Sequence, residues 1–137
     1  MLSFNELEKE IISVCENHRE IIAAYVFGSR AMGKYKRGSD VDIALLLNDR
    51  EESDFQYLKF KVKLERALNI NVDLIILNNA GEILKHQIRK HGKIIFDSNP
   101  KMRKQWEVLS RKLFQDFLYL HYIYMKKLYA HYGVENG

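Results

Sequence analysis

Residues Gly28 to Asp42 read GSRAMGKYKRGSDVD, and what brackets them decides the fold. Ile21-Ile22-Ala23-Ala24-Tyr25-Val26-Phe27 comes before, and Val41-Asp42-Ile43-Ala44-Leu45-Leu46-Leu47 closes the stretch. Both runs are short, apolar and bounded by glycine or polar residues. Each therefore reads as a buried strand, over 21–27 and 40–47. A Gly-Ser pair, a basic loop and an Asp-x-Asp pair thus sit between two strands.

On the N-terminal side, Ser3-Phe4-Asn5-Glu6 has the spacing of a capping box. Leu7, Ile11, Val14 and His18 recur at helical intervals, which predicts an amphipathic helix over 4–18. His18 reads as a polar boundary residue at its end. On the C-terminal side, residues 29–35 fit a short helix and Lys36-Arg37-Gly38-Ser39 a turn. A longer helix is expected over 52–68, with Phe55, Leu58, Val62 and Glu65 on one line and Phe60, Leu64 and Ala67 near it. Ile70 to Leu77 (INVDLIIL) gives a third strand. A helix over 81–91 follows, with Gly92 as its stop signal. Lys93 to Phe96 gives a fourth strand. The lone Pro100 marks a boundary, because the residue before proline avoids helical angles. A long helix is expected over 101–132. Strands alternating with helices indicate an α/β (α+β) layer structure with a mixed sheet of about four strands.

The 137 residues suit one domain, with a core over 4–97 and an added C-terminal helix. With 47% hydrophobic and 29% charged residues, the composition is that of a globular protein and excludes a disordered chain. No apolar run approaches the roughly 20 residues of a membrane span, and the N-terminus lacks a signal-peptide pattern. The single Cys15 has no internal disulfide partner, which favours a reducing cytoplasm. It lies on the apolar side of the first helix, where packing rather than reactivity is expected. Residues 1–69 hold 11 basic and 12 acidic residues, and residues 70–137 hold 11 and 6. The basic excess lies mainly beyond Pro100; nucleic acid, nucleotide or an acidic protein would each suit it.

The chemistry gathers in the opening stretch. A glycine between strand and helix lets the backbone approach a ligand. The helix N-terminus behind it presents free N–H groups and a positive dipole end. Gly28 and Ser29 could so hold outer phosphates, although a Gly-Ser pair alone is also an ordinary turn. Gly28, Gly33 and Lys34 fit a P-loop pattern, but Tyr35 stands where Ser or Thr should bind magnesium, and a strand begins within six residues. Asp40 and Asp42 share one face of a strand. Two such carboxylates repel each other unless a cation lies between them, and hard oxygen ligands suit Mg²⁺. Asp73, in the apolar third strand, is expensive to bury alone. A neighbouring strand carrying Asp40 and Asp42 explains it, since three carboxylates can share two magnesium ions.

Gly28-Ser29, ten residues, then Asp40-Val41-Asp42, with Asp73 in a later strand, resembles the signature of the polymerase-β-type nucleotidyltransferase superfamily. Small size and flanking strands look most like the minimal nucleotidyltransferases, among them the MntA-like antitoxins of HEPN/MNT toxin–antitoxin pairs. The resemblance covers roughly residues 4–97 and is specific over 25–47. It implies a polymerase-β-like mixed sheet flanked by helices, two Mg²⁺ ions, ATP as donor, and transfer of AMP to a hydroxyl. In the antitoxin branch, the acceptor implied is a tyrosine of a cognate HEPN ribonuclease. Carried over by position, Gly28, Ser29 and Arg30 would bind nucleotide, and Asp40, Asp42 and Asp73 would be the metal-binding catalytic residues. Lys34, Lys36 and Arg37 could neutralise phosphate, meet a partner or form a solvated loop. The arginine–histidine spacing of the HEPN half is missing from this sequence. Transfer to a small molecule such as an aminoglycoside, and neutralisation by binding alone, are the alternatives. Three co-facing carboxylates disfavour the second.

In the last helix, Trp106, Leu109, Leu113, Phe117, Leu120, Tyr124 and Leu128 make one apolar line. Phe114, Leu118, Tyr122, Met125 and Tyr129 make another beside it. The stripe is wider than one core needs, so part should pack on the sheet and part should meet another protein. Seven basic and two acidic residues in 101–132 would also permit RNA contact, though a protein partner is the expectation.

Overall fold

In the computed structural model, residues 3–28 and 40–133 are described. Ser29, Arg30, the short helix over 29–35, and the loop residues Gly33, Lys34, Tyr35, Lys36 and Arg37 lie outside the described residues. The elements run α1 (Phe4–Glu16), β1 (Ile21–Phe27), β2 (Val41–Leu47), α2 (Tyr57–Leu68), β3 (Val72–Ile76), α3 (Glu82–His91), β4 (Lys93–Asp97) and α4 (Pro100–Tyr132). The four strands form one mixed sheet in the order β3-β2-β1-β4, as expected. β1 is antiparallel to β2 and β4, and β2 is parallel to β3.

Two helices cover each face. α1 and α2 pack Leu7, Ile11, Phe60 and Leu64 against Val26, Ile43, Leu45 and Leu74. α3 and the start of α4 cover Ile22, Tyr25, Ala44 and Leu46 with Ile88, Met102 and Trp106. The sheet is buried on both faces, which is why β1 and β2 read as continuous apolar runs. The capping box that starts α1 is complete: Ser3 Oγ accepts from Glu6 N at 3.2 Å, and Glu6 Oε2 accepts from Ser3 N at 3.0 Å.

The structure corrects two expectations. Residues 52–68 are not one helix: a 3₁₀ turn over Glu52–Asp54 and extended residues Phe55 and Gln56 precede α2. Phe55 leaves the helical line and meets Phe60 with ring centroids 5.2 Å apart. The buried face is then Phe60, Leu64 and Leu68, while Leu58 is 73% exposed and Val62 also exposed. Glu65 accepts a hydrogen bond from Val72 N at 2.9 Å, tying α2 to β3. Second, β3 is shorter than Ile70–Leu77, because Leu77–Asn79 forms a 3₁₀ turn. There the Asn78 side chain pairs with both Leu47 N and Leu47 O, continuing the edge of β2. Gly92 ends α3 as expected, in extended conformation with φ −75°. A side chain there would press on the Ile88 carbonyl at 2.5 Å.

α4 is launched tightly. Ser98 Oγ donates to Ile21 O at 2.8 Å, Asn99 caps Met102 N, and Pro100 opens the first turn. Arg103 then bridges Asp97 at 2.7 Å and Glu107 at 2.8 Å, and Tyr25 donates to the same Glu107 oxygen at 2.9 Å. Beyond that ionic anchor, most of the helix is exposed.

Candidate active site

The end of the sheet where β1 stops and β2, β3 and β4 begin brings the carboxylates together. Phe27 pairs with Asp42 across the antiparallel β1–β2 ladder, and Asp42 pairs with Asp73 across the parallel β2–β3 ladder. Directly paired residues on strands about 4.8 Å apart share a face. Asp42 alternates with Val41 and Ile43, which point into the α1/α2 layer. Its side chain therefore lies on the α3/α4 face with Ala44 and Leu46. Asp73 alternates in the same way with Val72 and Leu74.

Gly28 closes the site from the β1 side. Its φ is +76°, in the left-handed region, and a Cβ built there would collide with Asp42 Oδ2. Both facts call for glycine. From sequence, the glycine served a ligand's approach; here it also leaves room for a protein carboxylate. Pairing across two strands creates that contact, so local sequence gives no sign of it.

Asp73 needs a different account from the one its apolar neighbours suggest. It sits on the edge strand and is exposed, so no burial cost demands a partner. What ties it to the site is its register with Asp42. Asp40 is also exposed and lies one residue before β2 begins. Among the described residues, no three His, Cys, Asp or Glu side chains are grouped to hold a metal. The register thus pairs Asp42 with Asp73, and Asp40 stands two residues before Asp42 at the same end of the sheet. The donor set still fits a hard cation. Two carboxylates on adjacent strands repel unless a positive charge lies between them, and all-oxygen ligands with open positions suit Mg²⁺. Asp42, Asp73 and Asp40 are the residues that would hold it, and the ion would supply neutralisation of phosphate charge.

The topology adds basic residues that the sequence reading passed over. α3 ends in Arg89, Lys90 and His91, and after Gly92 the chain enters β4 at Lys93, which pairs with Val26. These cations therefore stand at the same end of the sheet as Asp42. Reading α3 only for its apolar face hid this. Two other candidates carry no chemistry. Cys15 is buried, and desolvation, reinforced by Glu16, pushes its thiol up to about 12. His18 bonds Glu20 at 2.9 Å and sets its ring edge-on to Phe60, as a boundary residue should.

A family model described as polymerase beta, nucleotidyltransferase matches residues 9–101. The chain belongs to that family. Over 87 residues it is 34% identical to the protein adenylyltransferase MntA of Shewanella oneidensis, covering 63% of this chain and 62% of that protein. The alignment thus spans less than two thirds of that relative's length. A Methanocaldococcus jannaschii relative, provisionally named for the same activity, is 30% identical over 87 residues, 64% of this chain and 91% of its own. The fold superposes on a chain of a toxin–antitoxin crystal structure with AMP-PNP, with TM-score 0.74 and 25% identity over 88% of this chain and 97% of that one. It also superposes on a chain of the tri-AMPylated Shewanella oneidensis HEPN toxin in complex with MNT antitoxin, with TM-score 0.68 and 21% identity over 92% and 98%. The latter shows a shared fold.

Proposed function

We propose that this chain is a Mg²⁺-dependent nucleotidyltransferase that moves AMP from ATP to a hydroxyl on a HEPN-type toxin, most simply a tyrosine, and so acts as its antitoxin. The observation that carries this is the in-register pair Asp42–Asp73, closed by Gly28, at one end of a nucleotidyltransferase sheet. The relative named protein adenylyltransferase and the toxin–antitoxin neighbour with AMP-PNP supply the acceptor class and the donor. Two ions and all three carboxylates, Asp40 included, belong to this proposal, as do Ser29 and Arg30 as phosphate ligands. A cytoplasmic setting belongs to it too; no described helix is long and apolar enough to cross a membrane.

In the reaction, the acceptor oxygen attacks the α-phosphorus, a new P–O bond forms, and the bond to the β-phosphate oxygen breaks. Pyrophosphate leaves with that electron pair. Asp73 is exposed on the edge strand, where an approaching acceptor can reach it, and its Oδ atoms take the hydroxyl proton. Asp42 is half-buried and set close against Gly28, where it would help hold the cation that neutralises the triphosphate. Ser29 and Arg30, next in the sequence after Gly28, would receive the outer phosphates.

Asp42→Asn and Asp73→Asn should each lower AMP transfer by on the order of a hundredfold or more, while melting stays near wild type. Intact-protein mass spectrometry of the toxin after incubation with ATP and magnesium reads this directly. Retained transfer in both variants would refute the site.

A further inference from the structure

α4 overshoots the sheet at its functional end. Trp106 packs on Tyr25 with ring centroids 6.4 Å apart, and Phe114 stacks on His86 of α3 at 4.0 Å. Arg89, in the half of α3 that leads to β4, holds its guanidinium 5.9 Å from the Phe114 ring centroid, and the first residue of β4 pairs with Val26. Phe114 has therefore reached the level at which the strands carrying Asp42 and Asp73 begin. The helix continues from there to Tyr132, about 27 Å further.

Over 113–125 that overhang is largely apolar, with Gln115, Asp116 and His121 as its polar residues. From Leu113 to Met125 the only charged residue is Asp116. Leu120 is 64% and Tyr124 62% exposed, and Leu118 and Tyr122 are exposed as well. So broad an exposed apolar surface on one helix is built to be covered. Its flanks carry charge of one sign: Arg111-Lys112 before the segment and Lys126-Lys127 after it, about 21 Å apart. A second copy of this chain would set these cations against their own counterparts. Parallel packing does so directly, and antiparallel packing about Tyr119 does so by exchange. Like charges brought together oppose both.

We infer that the α4 overhang is the docking surface for a protein partner whose apolar groove is rimmed by Asp or Glu at both ends, about 21 Å apart. Docking there holds the partner beside Asp42 and Asp73. Only this last clause rests on the proposed transfer reaction.

The test uses the full chain and the product of the open reading frame adjacent to its gene. Binding is followed by calorimetry and AMP gain by mass. Leu120→Glu and Tyr124→Glu should each weaken binding by about thirtyfold or more. Lys126→Glu combined with Lys127→Glu should slow association and flatten its salt dependence. All variants should melt as wild type does, since these side chains lie outside the sheet's cores. Wild-type binding by the Leu120 and Tyr124 variants overturns the surface. So does failure of the wild-type chain to bind that product. A homodimer that Leu120→Glu dissolves would make a second copy the occupant, and sedimentation with phosphatidylglycerol vesicles in place of protein binding would make it a membrane; either refutes the inference. Binding that is lost on substitution, yet never accompanied by AMP gain, leaves the surface standing and removes the transfer reaction.

Discussion

Replacing Gly28 with alanine puts two strains at one point. An L-residue at φ +76° costs about 1–2 kcal/mol relative to glycine. The new Cβ also occupies the space of Asp42 Oδ2, and the carboxylate must retreat by roughly 1 Å to regain van der Waals contact. Together these should lower stability by about 2 kcal/mol, a fall of roughly 6–10 °C in Tm for a chain of this length. Because a displacement of about 1 Å at a reacting centre can cost about a hundredfold in rate, AMP transfer should suffer more than folding does. Calorimetry and the toxin mass assay separate the two effects. A double-mutant cycle isolates their cause: in an Asp42→Ala background the collision is gone, and Gly28→Ala should then cost only the backbone part, about 1 kcal/mol. Equal costs in both backgrounds, or a Gly28→Ala protein with wild-type Tm and transfer, would refute the close approach of Gly28 to Asp42.

Two further outcomes test the packing. Leu64→Ala should cost about 2–5 kcal/mol in urea unfolding, whereas Leu58→Ala should stay within about 0.5 kcal/mol, because only the first faces the core. Partial burial, with Arg89, Lys90 and His91 nearby, lowers the pKa of His86 in the folded state. The unfolded chain then binds the proton more readily. The contribution from neutral, stacked His86 is complete above about pH 6.5 and is lost as pH falls through the folded value. Urea midpoints between pH 5 and 8 should show His86→Phe gaining on wild type at the acid end; a difference independent of pH would count against it.

What could be read from sequence was whatever is local or periodic. The capping box at Ser3 and Glu6 is a four-residue event, and the β1 and β2 runs announce themselves because both faces of the sheet are covered. The phase of α2 was hidden because Phe55 looked helical, yet its backbone is extended and its ring turns back onto Phe60. The candidate carboxylates stood out by spacing, but the reason offered for Asp73 was burial, whereas its link to Asp42 is a register that joins residues thirty-one apart. The contact between Gly28 and Asp42 depends on an antiparallel pairing that no local pattern encodes. For α4, periodicity gave the helix and its wide stripe; where the sheet ends beneath it depends on tertiary structure.

The launch of α4 fixes more than its direction. Ser98 ties its start to β1, Asn99 and Pro100 set its first turn, and the Arg103 bridge locks the second. An α-helix held so firmly at one end transmits angle as well as length. A single residue inserted beyond Ser110 would rotate every later side chain by about 100° and advance it by about 1.5 Å, whereas seven residues would restore the facing and advance it by about 10 Å. The helix is thus a ruler and a protractor at once. Its length in residues sets how far from Asp42 anything attached to the overhang will stand, and which way it will turn.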